Sequence, residues 1–147
     1  MNISKFLLII PLCVSISSGF SQNIKPKVFS QFPDVINCNA VVFHNAFTKT
    51  EGDFISLSFS NDFTVAGKVS SNIQKYSNLQ SMTIQLPGYA NAVFHLSKQI
   101  NQDQSLSFVG RIMSTEAQDG YEIKKDITGN YALVKIEEEK IRQVCSQ

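Results

Sequence analysis

Alternating apolar and polar residues between positions 54 and 69 constrain the fold of this chain more than any other feature. In FISLSFSNDFTVAGKV, large apolar side chains recur at every second position and are separated mostly by serine, threonine or lysine. A period of two residues is typical of strands with one buried face. A three-residue loop pairs Phe59 with Phe63 and Leu57 with Val65, which puts every large side chain on one face. The sequence therefore predicts a β-hairpin with a loop of odd length, because a two-residue loop would put the apolar rows on opposite faces.

The same alternation returns later in the chain. Residues 82–86 and 92–96 flank the turn PGYAN, and pairing Leu86 with Ala92, Ile84 with Phe94 and Met82 with Leu96 again forms one apolar face. A strand is predicted over 106–112, with Gly110 as the site of a bulge. A last hairpin is predicted to pair residues 121–123 with 131–133 across a turn at 126–130. These segments predict an antiparallel meander of six to seven strands.

Two other segments have a helical period. Ile36, Ala40, Phe43 and Phe47 form one apolar stripe, which predicts an N-terminal helix from about Asp34 to Thr48. The acidic start and basic end of EEEKIRQVC predict a short C-terminal helix over 137–145. The predicted fold class is therefore α+β, with the N-terminal helix packed on the meander sheet. A strongly curved or closed β-barrel is the alternative.

The first residues, MNISKFLLIIPLCVSISSGFSQ, have the pattern of a secretory signal peptide. Lys5 precedes an apolar run that is shorter than the roughly 20 residues needed to span a bilayer, and small residues follow it. We therefore expect a signal peptide at 1–21, an extended leader at 22–32 and a single domain at 33–147. The expected location of the mature protein is secreted or periplasmic.

Cysteine usage is consistent with export. Cys13 would leave with the signal peptide, and Cys38 and Cys145 would remain. An even number of cysteines in an exported chain predicts a disulfide, here between Cys38 and Cys145. Two buried free thiols are the alternative.

Charge and motifs argue against several classes of function. Loss of Lys5 from 13 basic residues leaves 12, against 12 acidic residues, and no basic cluster is present that would bind nucleic acid or an anionic membrane. The two histidines, His44 and His95, are too few for a typical catalytic zinc site. No nucleophile or phosphate-loop motif occurs, and the carboxylates 116, 119 and 122 are expected to be solvated. We therefore predict no enzyme activity, no metal and no cofactor.

The remaining hypotheses concern binding. Tyr89 lies in a predicted turn, and Tyr121 and Tyr131 lie near hairpin ends, so the three are candidates for a binding surface. For Tyr121 and Tyr131 the alternative is an aromatic pair in the core. The favoured function is an exported, non-catalytic interaction domain for another exported protein, similar in role to a protease inhibitor or a propeptide. The alternative is a carrier of a small apolar ligand in a barrel cavity.

Overall fold

The computed structural model describes residues 25–137, which form eight strands and one short helix. All paired strands are antiparallel. In chain order the elements are β1 (Val35–Cys38), α1 (Ala40–Ala46), β2 (Phe54–Ser60), β3 (Phe63–Tyr76), β4 (Leu79–Leu86), β5 (Ala92–Ile100), β6 (Leu106–Met113), β7 (Asp119–Lys125) and β8 (Tyr131–Glu137).

The sheet curves into a nearly closed barrel. Strands β2 to β8 pair in chain order, and β1 pairs with β8, so β1 and β2 are the two ends of the sheet. These two ends lie next to each other, and α1 packs beside β2. Among the described strands no hydrogen-bonded ladder joins β1 to β2. We call this gap between β1 and β2 the seam.

The predicted α+β class is wrong, and the barrel that was its alternative is the observed architecture. Residues 35–38 of the predicted helix form β1 because their backbone pairs with β8, from Val35 opposite Val134 to Cys38 opposite Tyr131. A helix of only seven residues follows, and the Asn39 side chain caps it. The predicted C-terminal helix lies, apart from Glu137, outside the described residues.

The first hairpin is correctly located, but its predicted loop is wrong. Leu57 pairs with Val65 as expected, whereas Ser60, and not Phe59, lies opposite Phe63. The register shifts between Ser58 and Ser60, so Phe59 is the extra residue of a β-bulge. This bulge allows a two-residue turn while Phe59 and Phe63 both stay buried.

The second hairpin has the predicted register throughout, with Leu86 opposite Ala92, Ile84 opposite Phe94 and Met82 opposite Leu96. The predicted bulge at Gly110 is absent, since the β5–β6 register continues through it. Glycine is needed here for a close approach of two strands. A Cβ at position 110 would lie only 2.5 Å from the carbonyl oxygen of His95.

Aromatic side chains fill much of the barrel interior. At one end Phe29, from the leader, is fully buried and stacks on Tyr89 with ring centroids 5.3 Å apart. At the other end Phe43 of α1 packs on Phe59 and Phe108, each at 5.7 Å between ring centroids. The leader and α1 thus cover opposite ends of the barrel, although only α1 has a regular structure.

Candidate functional site

An open cleft of about 780 Å³ lies at the seam. It is bounded by the end of β1, the start of α1, the bulge of β2 and the turn between β7 and β8. Its volume is within the range of small-molecule sites, about 300 to 1,000 Å³. The lining residues are Asn37, Cys38, Asn39, Ala40, Phe59, Asp126, Gly129, Asn130 and Tyr131. We call it the seam cleft.

The floor of the seam cleft is aromatic and rigidly held. Phe59 and Tyr131 are each only 5% exposed, so only a small part of each ring reaches the cleft. The Tyr131 hydroxyl accepts a hydrogen bond from the backbone N–H of Phe108 at 3.2 Å. Phe43 packs against both rings, at 5.7 and 5.8 Å between centroids. The floor therefore belongs to the barrel core and offers a small apolar contact.

One wall carries two asparagine amides. The Asn39 side-chain oxygen accepts the N–H of Val41 at 2.9 Å and so caps α1, which leaves its NH₂ group facing away from that bond. Asn37 is exposed, and among the described residues its side chain makes no hydrogen bond. This wall therefore offers neutral donors and an acceptor to a ligand.

The opposite wall is the turn at 126–130, whose shape depends on one carboxylate. Asp126 Oδ1 accepts from the Thr128 hydroxyl at 2.7 Å and from the N–H groups of Thr128 and Asn130 at 2.8 and 2.9 Å. Its Oδ2 accepts from Asn130 Nδ2 at 3.3 Å. The hydrogen bond from the Thr128 side chain, followed by that from the Asn130 backbone, lowers the pKa of Asp126. Asp126 is thus charged at neutral pH; its Oδ1 is engaged by its own turn, whereas its Oδ2 accepts a single hydrogen bond.

Cys38 lies in the cleft with its thiol half-buried. Its Sγ donates to the carbonyl oxygen of Ile36 at 3.1 Å. Burial raises the pKa of Cys38 to about 11, so the thiol is neutral and a weak nucleophile at pH 7. The predicted disulfide partner, Cys145, lies outside the described residues, and the disulfide stays a prediction.

A second cleft, of about 340 Å³, contains His95 and Asp119. Among the described contacts, no hydrogen bond or ion pair joins these two side chains. Asp119 accepts the N–H groups of Val28 and Phe29 at 2.7 and 3.0 Å, and His95 Nδ1 lies 3.3 Å from the Thr83 hydroxyl. Asp119 is also only 4% exposed, whereas the sequence predicted a solvated carboxylate. No local signal marks it, because its partners lie ninety residues earlier.

The three predicted binding tyrosines all have internal roles. Tyr121 is fully buried and donates its hydroxyl to Pro33 O at 2.6 Å. Tyr131 forms part of the cleft floor, and Tyr89 is half-buried, with its hydroxyl donating to Thr64 O at 3.0 Å. Tyr121 and Tyr131 are not cross-strand partners, since Lys135 and Lys125 respectively lie opposite them. A binding surface built from these tyrosines stays a prediction.

His44 and His95 lie at exposed positions of α1 and β5, respectively. Between residues 25 and 137 no group of three or more histidine, cysteine, aspartate or glutamate side chains has a metal-binding arrangement. The same part of the chain contains no helix with the length and hydropathy needed to cross a membrane.

No protein-family model, curated protein or solved structure matches this chain.

Proposed function

We propose that this protein is an exported, non-catalytic binding protein for a small molecule, and that the seam cleft is its binding site. The observation that carries the proposal is the cleft itself: an aromatic floor and polar walls line an open cleft of ligand size at the seam, beside the end of the barrel that α1 covers. Clefts at the ends of β-barrels are frequent ligand sites. The barrel-like all-β fold is compatible with a carrier of this kind.

A ligand fits this structure better than the protein partner favoured by the sequence. Strand addition to a sheet needs an accessible edge. Here the edges of β1 and β2 lie beside each other, and α1 packs along β2. The tyrosines that were to anchor a partner are buried or half-buried. These features support binding at the cleft over binding at the edges of β1 and β2.

The absence of catalysis is part of the same proposal. The residues described around the seam cleft include no histidine, the Cys38 thiol has a raised pKa, and the Asp126 carboxylate accepts four hydrogen bonds from its own turn. A general base needs a free acceptor of suitable pKa within reach of a substrate.

The signal-like N-terminus supports export. Fractionation of the native host's cells tests the export. Retention of an uncleaved chain in the cytoplasm would contradict it.

Fragment screening by amide-correlation NMR tests the binding site. A mixed library of neutral, cationic and anionic organic fragments is added to isotope-labelled protein. We expect hits that shift the side-chain amide signals of Asn37, Asn39 and Asn130. Ala40→Trp should abolish these shifts, because the added ring occupies the start of α1 inside the cleft. The matched control is Ala66→Trp, which places the same ring at an exposed position on β3.

The result that overturns the proposal is a folded protein in which no fragment shifts the seam-cleft signals. Shifts confined to the cleft around Gly52 and Lys68 would do the same. Equal loss of binding in both tryptophan variants would also count against the site, because it would show that the loss does not come from filling the cleft.

A further inference from the structure

We infer that the second cleft, which contains His95 and Asp119, is the docking site of this chain's own C-terminal segment, residues 138–145. The segment docks as the short helix that the sequence predicts, on the outside of the barrel. It begins immediately after β8, and Ile136 of β8 lines the cleft. The inference does not depend on the proposed function, which concerns the seam cleft.

The floor of the second cleft is an apolar row on the outer face of the sheet. Val93 of β5 lies opposite Met113 of β6, and Gly120 of β7 lies opposite Ile136 of β8. All four residues line the cleft. The first three each adjoin a side chain that is fully buried inside the barrel, and side chains alternate along a strand. The row therefore faces outwards and crosses four neighbouring strands.

Gly120 makes this row a groove rather than a ridge. It has no side chain, and a Cβ at this position would overlap the backbone carbonyl oxygen of Ile112, so a larger residue does not fit. The half-buried side chains of Met113 and Ile136 stand on either side of it. The space between them is an apolar notch that can receive one side chain from outside.

The segment after β8 has the length and the apolar stripe that this groove requires. From β8 to β5 the groove crosses three strand spacings, about 14 Å in total. Eight residues in a helix span about 12 Å. In that helix Ile141, Val144 and Cys145 share one face, because they are three and four residues apart.

The positions along the helix also match the positions along the groove. In a helix that begins at residue 138 beside β8, Ile141 lies about 4.5 Å along the axis and Val144 about 9 Å along it. Gly120 and Met113 lie one and two strand spacings from β8, about 5 and 10 Å. Ile141 thus reaches the notch at Gly120, and Val144 reaches Met113.

Charges around the cleft are complementary to the segment. Lys27 pairs with Glu137 at 2.6 Å where the segment begins, and Lys25 lines the cleft. The next two residues of the segment are also glutamates, whereas Arg142 comes later. On the β5 side of the cleft the exposed carboxylate of Glu116 accepts a hydrogen bond from a lining asparagine. Exposed ion pairs add little stability, but these favour this direction of the segment over the reverse.

Docking of the segment excludes the Cys38–Cys145 disulfide and favours the free thiols that are its alternative. Cys38 lies opposite Tyr131, and β8 continues from there to Glu137, so Cys38 is about 20 Å from the start of the segment. The docked helix leads away from β1 towards β5. Since the Cα atoms of a disulfide lie within about 7 Å of each other, Cys145 cannot occupy both places.

Methyl NMR tests the contact directly. In isotope-labelled protein as purified, we expect NOEs between the methyl groups of Ile141 and the methyl group of Met113. A sample that mixes labelled and unlabelled copies shows whether the contact lies within one chain. NOEs found only between copies would mean that a second copy occupies the cleft and would overturn the inference. The absence of these NOEs in the folded protein would also overturn it.

A variant pair tests what holds the segment. Ile141→Asp should release it, because a carboxylate would replace an apolar side chain in the notch. We expect the NOEs between Val144 and Met113 to disappear and alkylation of Cys145 to become at least about tenfold faster, since burial of the isoleucine stabilises the docked state. Ile127→Asp is the matched control, because Ile127 is fully exposed in the β7–β8 turn. It should leave both measurements unchanged.

Mass spectrometry of the labelled peptides separates Cys145 from Cys38, and circular dichroism verifies that both variants are folded. Faster alkylation in both variants, or in neither, would overturn the inference. A Cys38–Cys145 disulfide in protein purified from an oxidising compartment would do so as well. These outcomes do not affect the fragment test of the seam cleft, because that test measures the signals of other residues.

Discussion

The carboxylate of Asp119 binds the backbone of Phe29, ninety residues earlier in the chain, at 3.0 Å. It also accepts the N–H of Val28 at 2.7 Å, so both oxygens are used. The result is that the leader is fixed against the start of β7, and the Phe29 ring is held between Tyr89 and Tyr121. The buried Asp119 carboxylate thus holds in place the segment that covers the end of the barrel opposite α1.

Removing this carboxylate should destabilise the fold. We expect Asp119→Ala to lower the free energy of unfolding by about 3 kcal/mol, because hydrogen bonds to charged groups contribute roughly 1.5 to 3 kcal/mol each and two buried N–H groups lose their acceptor. Urea denaturation measures the change. Asp103→Ala is the control, since Asp103 is exposed and bonds only to Ser105 in its own turn. Equal losses in the two variants would contradict the role given to Asp119.

The Phe29 side chain should itself contribute strongly to stability. Phe29→Ala removes a fully buried ring from the core, and such truncations cost about 3 to 5 kcal/mol. Phe54→Ala removes the same ring from a position that is 80% exposed and should be nearly neutral. The comparison uses thermal or urea unfolding. A small effect at Phe29 would mean that the leader is not part of the folded domain.

Gly110 should not tolerate a larger residue. The Cβ of Gly110→Ala would approach the His95 carbonyl oxygen to 2.5 Å, and this atom belongs to the backbone of the neighbouring strand. We expect a loss of about 1 to 3 kcal/mol, as for overpacked cores. Gly88→Ala is the matched control because nothing lies within 4 Å of its added Cβ. Unfolding midpoints that are unchanged in both variants would show that β5 and β6 are farther apart than described.

Reduced protein should lose stability at high pH because of Cys38. Burial raises the pKa of this thiol from 9.0 to about 11, so the folded state holds the thiol proton more tightly than the unfolded state. The stabilisation of the folded state that comes from the neutral Cys38 thiol is therefore complete below about pH 9 and is lost as pH rises towards about 11. Unfolding of the reduced wild type and of Cys38→Ser is compared across this range. Parallel curves for the two proteins would exclude a perturbed thiol.

The predicted disulfide can be tested by counting thiols. A thiol reagent added to the unfolded, unreduced protein purified from an oxidising compartment should find no free cysteine if Cys38 and Cys145 are bonded. Mass spectrometry of the labelled chain gives the number directly. Two labelled thiols in the mature chain would remove the disulfide, and the reduced state would then be the relevant one for the seam cleft.

The hairpins show how far local pattern predicts this fold. The β4–β5 register follows from alternation alone, because a slip of one residue would expose every apolar side chain. In the first hairpin the same requirement had two solutions, an odd loop or a two-residue turn with a bulge. The alternation does not distinguish these two loops. The structure has the bulge, which places the Phe59 ring at the floor of the seam cleft.

Segment 35–47 shows where local pattern fails. Ile36, Phe43 and Phe47 are all buried, as a helical stripe requires, yet Ile36 belongs to a strand and Phe43 to a helix. Both arrangements bury the same residues, so the spacing does not separate them. Pairing with β8, a strand that begins almost a hundred residues later, decides in favour of β1.

The sequence by itself determined the strands from β2 to β8 and their buried faces, because these depend on neighbouring residues and on a period of two. Only the tertiary structure decided that the sheet closes on itself, that the leader enters the core and that Asp119 is buried. It also brought Asn37, Phe59 and Asn130 together in one cleft. These features arise from contacts between residues far apart in the chain, whose side chains meet only after the strands have paired and the sheet has curved.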